Sequence, residues 1–277
     1  MMLISIITIN YNNSIGLADT IRSVISQIDA NYEYIVIDGG STDDSVKVIK
    51  QYEDKLSYWV SERDRGIYHA MNKGIEQATG DYCLFLNSGD TLYDNRVLFN
   101  IVHDLSADIV IGAIRKATSG YIKRVCIKES FVLLDFWIEN PIPHQSTFIK
   151  RSICSQIRYD ETLKIAGDLK FFLQAIVVNG STCRSSDYII ANFDENGISS
   201  RLGADEEWKK IFTELMPPYL FNDYKTMLER NYDGFYIRLH LRKYYKYIYT
   251  ISVLCVKLIS MFRLTARFVR KYPLFIK

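Results

Sequence analysis

Apolar and polar positions follow two rhythms through the first half of the chain. Residues 3–11 (LISIITINY) form a continuous β-branched run, which predicts a strand buried on both faces. Ile15, Leu17, Ile21, Val24, Ile25 and Ile28 then recur at helical spacing, with Asn13 or Ser14 placed to cap the helix. Residues 34–38 (YIVID) predict a second strand. The turn Gly39-Gly40-Ser41-Thr42-Asp43-Asp44 comes next and leads into a helix reaching about Tyr52, with Ser41 as its cap. Residues 56–61 predict a third short strand, 67–78 a helix ending near Gly80, 82–86 (YCLFL) a fourth strand and 108–112 a fifth.

Strand and helix alternating in this way predict an α/β domain with a mostly parallel sheet and helices on both faces. Ligands of such sheets sit beyond the carboxyl ends of the strands. Four polar groups fall there: Asn10 with Tyr11, residues 38–42, residues 62–66 and residues 87–90. The second half is less regular. Residues 140–144 (NPIPH) read as a stiff loop, and 167–178 (GDLKFFLQAIVV) as a helix starting near Asp168. Residues 192–203 read as a polar loop, and Pro217-Pro218 as a boundary. The expected organisation is one domain made of halves 1–112 and 113–216, then a helical region, 217–277.

Composition narrows this picture. Hydrophobic residues make up 48% of the 277 and charged residues 24%, ordinary globular values. Five cysteines are scattered without a C-x-x-C pair, which argues for a reducing compartment and against a zinc ribbon. Residues 1–9 are apolar but short, and the first basic residue is Arg22, so no signal peptide is expected.

The net charge of +2 hides an asymmetry. Residues 235–277 hold ten Lys/Arg and no Asp/Glu, so the rest of the chain is acidic and a poor surface for nucleic acid. In that tail Arg238, Arg242 and Lys246 share one helical face, as do Arg263, Arg267 and Lys271. Its uncharged stretch, 247–256, is too short to span a bilayer. Helices lying in an anionic membrane interface fit this pattern; a helical pair packed on protein is the other reading.

Two phosphate cradles are absent: there is no G-x-G-x-x-G and no G-K-[ST]. Asp38, at a strand end, suits a base N–H or a ribose hydroxyl, or else simply forms the turn. Asp90, after the fourth strand, suits a hard divalent cation on a diphosphate, or else caps the next helix. His144 would touch an acceptor, complete a metal shell or serve structure alone, whereas His69 reads as structural. Lys73 and Arg65 read as a leaving-group aid or surface charges, and Arg201 as a lid residue or a surface one.

The combination is more specific than its parts. IITINYNNSIGLADTIRSVISQ, YIVIDGGSTDDSVKVI and SERDRGIYHAMNKGIEQATGDYCLFLNSGD together resemble the family 2 glycosyltransferases, inverting enzymes of the GT-A fold. The last block carries the family's run from Gly66 to Asn72, and a weaker likeness continues through PHQSTF and AGDLKFF. The resemblance implies a nucleotide-diphospho-sugar donor, UDP-sugar by default. It places the base against Thr8, Asn10 and Tyr11 with Asp38 reading its edge, and Asp64, Asn72 and Asn87 lining the donor crevice. It puts Asp90 on a Mn2+ or Mg2+ ion and makes Asp168 the general base. Many relatives have D-x-D-D where this chain has Asn87-Ser88-Gly89-Asp90, so two of three carboxylates are missing.

The implied activity is sugar transfer to a glycan or polyprenyl-linked acceptor in bacterial surface polysaccharide synthesis. The implied place is the cytoplasmic face of a membrane, as a peripheral protein. A non-catalytic assembly or binding subunit that keeps the fold is the alternative. A sugar-nucleotidyltransferase is a third reading, disfavoured because Asn-Tyr-Asn-Asn-Ser stands where a glycine-rich basic loop is expected. Whether the chain forms a homo-oligomer stays open.

Overall fold

The computed structural model describes residues 2–125, 142–195 and 205–218. A first compact unit ends at Met216. The tail 235–277, Arg201 and the aromatic residues between 131 and 137 lie outside the described residues.

The elements run β1 (Ile4–Asn10), α1 (Ser14–Ile25), β2 (Tyr32–Asp38), α2 (Ser45–Gln51), β3 (Tyr58–Ser61), α3 (Ile67–Gln77) and β4 (Tyr82–Phe85). After them come β5 (Thr91–Leu92), α4 (Val97–Ile101), β6 (Ile109–Lys116), β7 (Ile122–Lys123), β8 (Thr147–Lys150) and α5 (Arg151–Gln156). The last are α6 (Gly167–Phe172), β9 (Cys183–Phe193) and α7 (Asp205–Leu215). One sheet has the order β3-β2-β1-β4-β8-β6-β9-β5, with β7 on β6. β1 to β4 pair in parallel, and β8 runs antiparallel to both β4 and β6. β6 therefore points the same way as β1, and β9 lies parallel to it.

The sheet's carboxyl edge thus collects the ends of β1, β2, β3, β4, β6 and β9. Every residue of β1 is buried, as its β-branched run predicts. On one face Leu17, Ile21 and Val24 of α1 pack with Ile4, Ile6, Val36 and Leu84 in a single apolar cluster. On the other, Tyr159 stacks on Tyr68 of α3 and on Phe171 of α6, and meets Phe85 edge-on. Among the described residues no helix is long and apolar enough to cross a membrane.

Several boundaries differ from the sequence reading: β6 runs on to Lys116, β9 reaches Phe193, and two helix ends move through a polar competitor. Asn13 caps α1 as expected, accepting from the Gly16 N–H at 3.1 Å, but α1 stops at Ile25. There the Gln27 amide and Ile28 N–H turn away to the carbonyls of Asp94 and Asn95. Ser41 caps nothing: its N–H and hydroxyl both donate to Asp38, and α2 begins only at Ser45. The helix expected over 167–178 is α-helical only to Phe172, and Leu173–Val178 continues it with π geometry.

Candidate functional site

At the ends of β1 and β2, Asp38 is wholly enclosed. It accepts from Asn10 Nδ2 (2.7 Å) and Ser41 Oγ (2.5 Å) on one oxygen, and from the Ser41 N–H (2.9 Å) and Ser61 Oγ (2.6 Å) on the other. Burial alone would raise this carboxyl, but those bonds outweigh it and hold it below the usual range. Four donors fill the four lone-pair directions of a carboxylate. With these donors Asp38 holds the Gly39-Gly40-Ser41 turn to β1.

Thr8 is equally enclosed, sharing a hydrogen bond with the Tyr34 hydroxyl at 3.0 Å inside the sheet's packing. Asn10 spends both amide hydrogens on Asp38 and Ser41, and its Oδ1 is buried without a partner. Tyr11, two-thirds exposed at 66%, is the one residue of this group that faces outward. Beside it a cradle opens over Gly39. A Cβ there would come to 3.0 Å from Asp64 Oδ2 and 3.3 Å from the Tyr11 ring. Asp64 is itself held by Lys73 Nζ at 2.5 Å, which also pairs with Glu62 at 2.8 Å.

Asn72, expected beside the donor, is engaged with the segment that carries Tyr159. Its Nδ2 donates to the Tyr159 carbonyl and Glu161 Oε1, and its Oδ1 accepts from the Tyr159 N–H, all at 3.0 Å. The amide bolts α3 to the segment that carries Tyr159. Glu161 in turn takes Arg65, so that arginine is a strut as well. His69 accepts from the Arg65 N–H at 3.1 Å, the structural part expected of it.

The loop after β4 is shaped by α1. Thr20 Oγ1 accepts from the Gly89 N–H at 3.0 Å and donates to the Asp90 carbonyl at 2.7 Å. Gly89 sits at φ +105, where L side chains are rare, and a Cβ there would lie 3.0 Å from Asp194 Oδ2. The closeness of Asp194 comes from register. β5 pairs antiparallel with β9, Thr91 opposite Asn192, which sets the residues before β5 against those after β9. The Asp194 N–H donates to Asp90 Oδ1 at 2.9 Å.

Asp90 is buried, and burial raises its carboxyl to about 7. The Asp194 N–H, His144 and Gln145 pull the other way but do not restore it, and the Asp194 charge adds to the rise. Its ionised form is thus under-compensated by protein alone. Asn87 Oδ1 nearby in the chain is buried without a partner. Among the described residues there is no cluster of three or more His, Cys, Asp or Glu fit to hold a metal. Two neighbouring carboxylates, Asp90 and Asp194, have the oxygen chemistry that a hard cation would need.

His144 stands on the short turn His144–Ser146, pinned by Ser146 Oγ to the Gly112 carbonyl and by Thr147 Oγ1 to the Pro143 carbonyl. Its Nε2 lies 3.1 Å from Asn87 Nδ2, and its Nδ1 lies 3.5 Å from Asp168 Oδ2. Asp168 occupies the first turn of α6 and is partly open to solvent. The segment before it is clamped twice. Glu207 of α7 accepts from the N–H groups of Lys164, Ile165 and Ala166, at 2.7, 2.9 and 2.8 Å. The Tyr68 hydroxyl accepts from the Gly167 N–H at 2.8 Å and donates to the Ile165 carbonyl at 2.6 Å. Neither Glu207, Tyr68, Thr20 nor Asp194 carries a local signal in the sequence, because each acts on a segment far away in the chain.

The family model of glycosyl transferase family 2 matches residues 5–155. Rv1514c, a glycosyltransferase of Mycobacterium tuberculosis, is 35% identical over 228 residues, covering 76% of this chain and 81% of its own. Rv2957 of the same species, a PGL/p-HBAD biosynthesis glycosyltransferase, is 26% identical over 74% of this chain and 82% of its own. Among solved structures, S. aureus TarS 1-349 in complex with UDP-GlcNAc superposes with a TM-score of 0.65 at 20% identity. That match covers 77% of this chain but 65% of TarS 1-349, so the chain spans a little under two thirds of that structure. The shared fold is the GT-A fold, with a curled, mostly parallel sheet.

Proposed function

The chain belongs to glycosyl transferase family 2, and from that we propose an inverting transfer of a sugar from a nucleotide-diphospho-sugar, UDP-sugar by default. The acceptor is a hydroxyl of a glycan or a polyprenyl-linked glycan in surface polysaccharide synthesis. The observation that carries this reading is the arrangement around His144. It touches Asn87 of the loop leading to Asp90 on one side and Asp168 on the other, so a donor-side group and a base-side group converge.

In this reading the base of the nucleotide lies in the cradle over Gly39, against the Tyr11 ring. Asp64, not Asp38, offers it a carboxylate oxygen. Asp38 keeps the cradle's floor in shape. Asp90, with Asp194 beside it, would hold the cation, Mn2+ or Mg2+, which when bound neutralises charge on the leaving diphosphate. Asp168 takes the proton of the acceptor hydroxyl as that oxygen attacks the anomeric carbon. Attack from the face opposite the diphosphate in a single displacement inverts the configuration. Arg201, as a lid over the diphosphate, and the basic tail 235–277, as an anchor on the cytoplasmic face of an anionic membrane, complete the proposal.

Thermal unfolding of the full chain with UDP, GDP or CMP, each with and without Mn2+ or Mg2+, tests the donor site. A nucleotide at about 100 times its Kd stabilises by roughly 2.7 kcal/mol. The expected result is a rise with UDP that grows with metal. A folded protein that responds to none of the three would overturn the donor site. The anomeric configuration of the product, read by NMR, tests inversion.

A further inference from the structure

His144 joins two loops that arrive from different parts of the chain, and the ring's hydrogen-bonding is determined by its neighbours. An amide nitrogen only donates, so with Asn87 Nδ2 at 3.1 Å the ring Nε2 is an acceptor. The neutral ring then carries its proton on Nδ1, the atom that faces Asp168 Oδ2 at 3.5 Å. The opposite amide orientation would make Nε2 the donor and leave a bare Nδ1 lone pair against a carboxylate. Among the neutral forms of the ring only the first arrangement satisfies both neighbours. The other Asp168 oxygen, Oδ1, accepts from the Leu169 N–H at 2.9 Å. Oδ1 thus has one donor and Oδ2 faces the ring Nδ1, and a lone pair on each remains for a substrate hydroxyl.

We propose that His144 is a positioning residue for sugar transfer: bridged between Asn87 and Asp168, it aims the Asp168 carboxylate at the acceptor hydroxyl and ties that aim to the donor-binding loop. This rests on Asp168 being the general base. The ring has little freedom, since it is only 14% exposed and its turn is fastened by Ser146 and Thr147. The 3.5 Å spacing is that of a contact which shortens when substrates fill a site, as catalytic hydrogen bonds do on moving from the free enzyme to the complex. A donor that draws Asn87 toward its diphosphate would pull on the same ring, so base alignment and donor binding are mechanically linked.

The first test needs no substrate. The full chain has four histidines, and 15N-histidine labelling with His144→Asn as the assignment control identifies the His144 signals. The expected spectrum shows a ring protonated at Nδ1, whose nitrogen shifts move in Asp168→Asn. A ring protonated at Nε2 alone, or signals indifferent to Asp168→Asn, would overturn the proposal.

The second test is turnover, measured as nucleotide release across UDP-GlcNAc, UDP-glucose and GDP-mannose with a glycan acceptor. His144→Ala is expected to lower kcat by about 10- to 100-fold, the scale of a misaligned reacting group, with donor KM changed less than about threefold. His144→Asn keeps an N–H donor near the place of Nδ1 and is expected to recover most of kcat, while His144→Gln is not. Equal losses in all three variants, matched by lower melting temperatures, would show a structural role only and overturn it. Asp168→Asn separates the two levels. If it is inactive while His144→Ala is fully active, only the positioning role fails; if it is active, the base assignment fails first.

Discussion

The two ends of this sheet treat a carboxylate in opposite ways. At the amino edge, Asp108 precedes β6 and accepts from the Thr182 N–H and hydroxyl and from Lys150 Nζ, all within 2.9 Å. Those bonds pull its carboxyl down to about 2. At the carboxyl edge, Asp90 is buried and its carboxyl is raised to about 7. Both acids sit beside strand ends of one sheet and differ in what was brought to them. Asp108 received a cation together with the N–H and hydroxyl of one threonine, whereas Asp90, more deeply buried, received the Asp194 N–H, Gln145 and His144 against the charge of a second aspartate, Asp194. A satisfied carboxylate fastens strands together. An unsatisfied one is a stored demand for positive charge, which is what a donor site with a cation would use.

The contrast can be broken, and the largest expected effect is on chemistry alone. Asp168→Asn should reduce transfer by about 10²- to 10⁴-fold, the usual weight of a general base, with melting temperature and nucleotide response retained. Substantial residual turnover would remove Asp168 from that role.

Asp90→Asn comes next and should separate activity from stability. The folded protein binds the Asp90 proton more tightly than the unfolded chain does. The wild type is therefore most stable, as far as this group goes, below about pH 4, and loses that stability as pH climbs to about 7. Across that range the change in stability amounts to a few kcal/mol at most. Metal-free Asp90→Asn should unfold at higher temperature than the wild type at pH 8, while losing transfer and the stabilisation by Mn2+ or Mg2+. Denaturant titrations at pH 5 and pH 8 read both effects, and an unstabilised variant at pH 8 would contradict the account.

At the other edge the sign reverses. Asp108 is depressed, so its contribution is present above about pH 4 and fades as pH falls toward 2. Asp108→Asn should cost about 1–2 kcal/mol at neutral pH, the scale of partly exposed charged hydrogen bonds, and leave kcat per folded molecule unchanged. A loss of kcat would mean that the two edges are not independent. The smallest expected effect is at the cradle. Gly39→Ala crowds Asp64 and Tyr11 and should weaken nucleotide binding by roughly tenfold, about 1.4 kcal/mol, at constant stability. Asp64→Asn should weaken it too, while Asp38→Asn should mainly destabilise the turn.

Much of the fold is legible in the chain alone, for a physical reason. β1 and β2 are buried on both faces, and burial demands apolar residues whose run length and branching announce a strand. The polar residues that interrupt such runs must lie where the strands end, so Asp38, residues 87–90 and Asp64 are found at the sheet's carboxyl edge. Their duties are less legible. Asp38 looks like a ligand-binding residue because it is polar and sits at a strand end, and Asn72 through the family resemblance alone, yet both are engaged in internal hydrogen bonds. The partners that engage them, Ser61 and the segment around Tyr159, lie far along the chain and obey no periodic pattern.

By itself the sequence determined the order of strands and helices as far as β4, the layered α/β architecture and the set of polar side chains gathered at one edge; β5, β8 and β9 were not legible in it. The legible parts come from short-range rules: side-chain period, branching, capping and the need to bury apolar runs. Only the tertiary structure decided which of those side chains are spent and which are left wanting. The β5–β9 register brought Asp194 to Asp90, β6 and β8 brought Lys150 to Asp108, and the His144 turn came to lie between Asn87 and Asp168. The free energy of a buried charge depends on the donors and charges within a few ångströms in space, and their distance along the chain does not enter it.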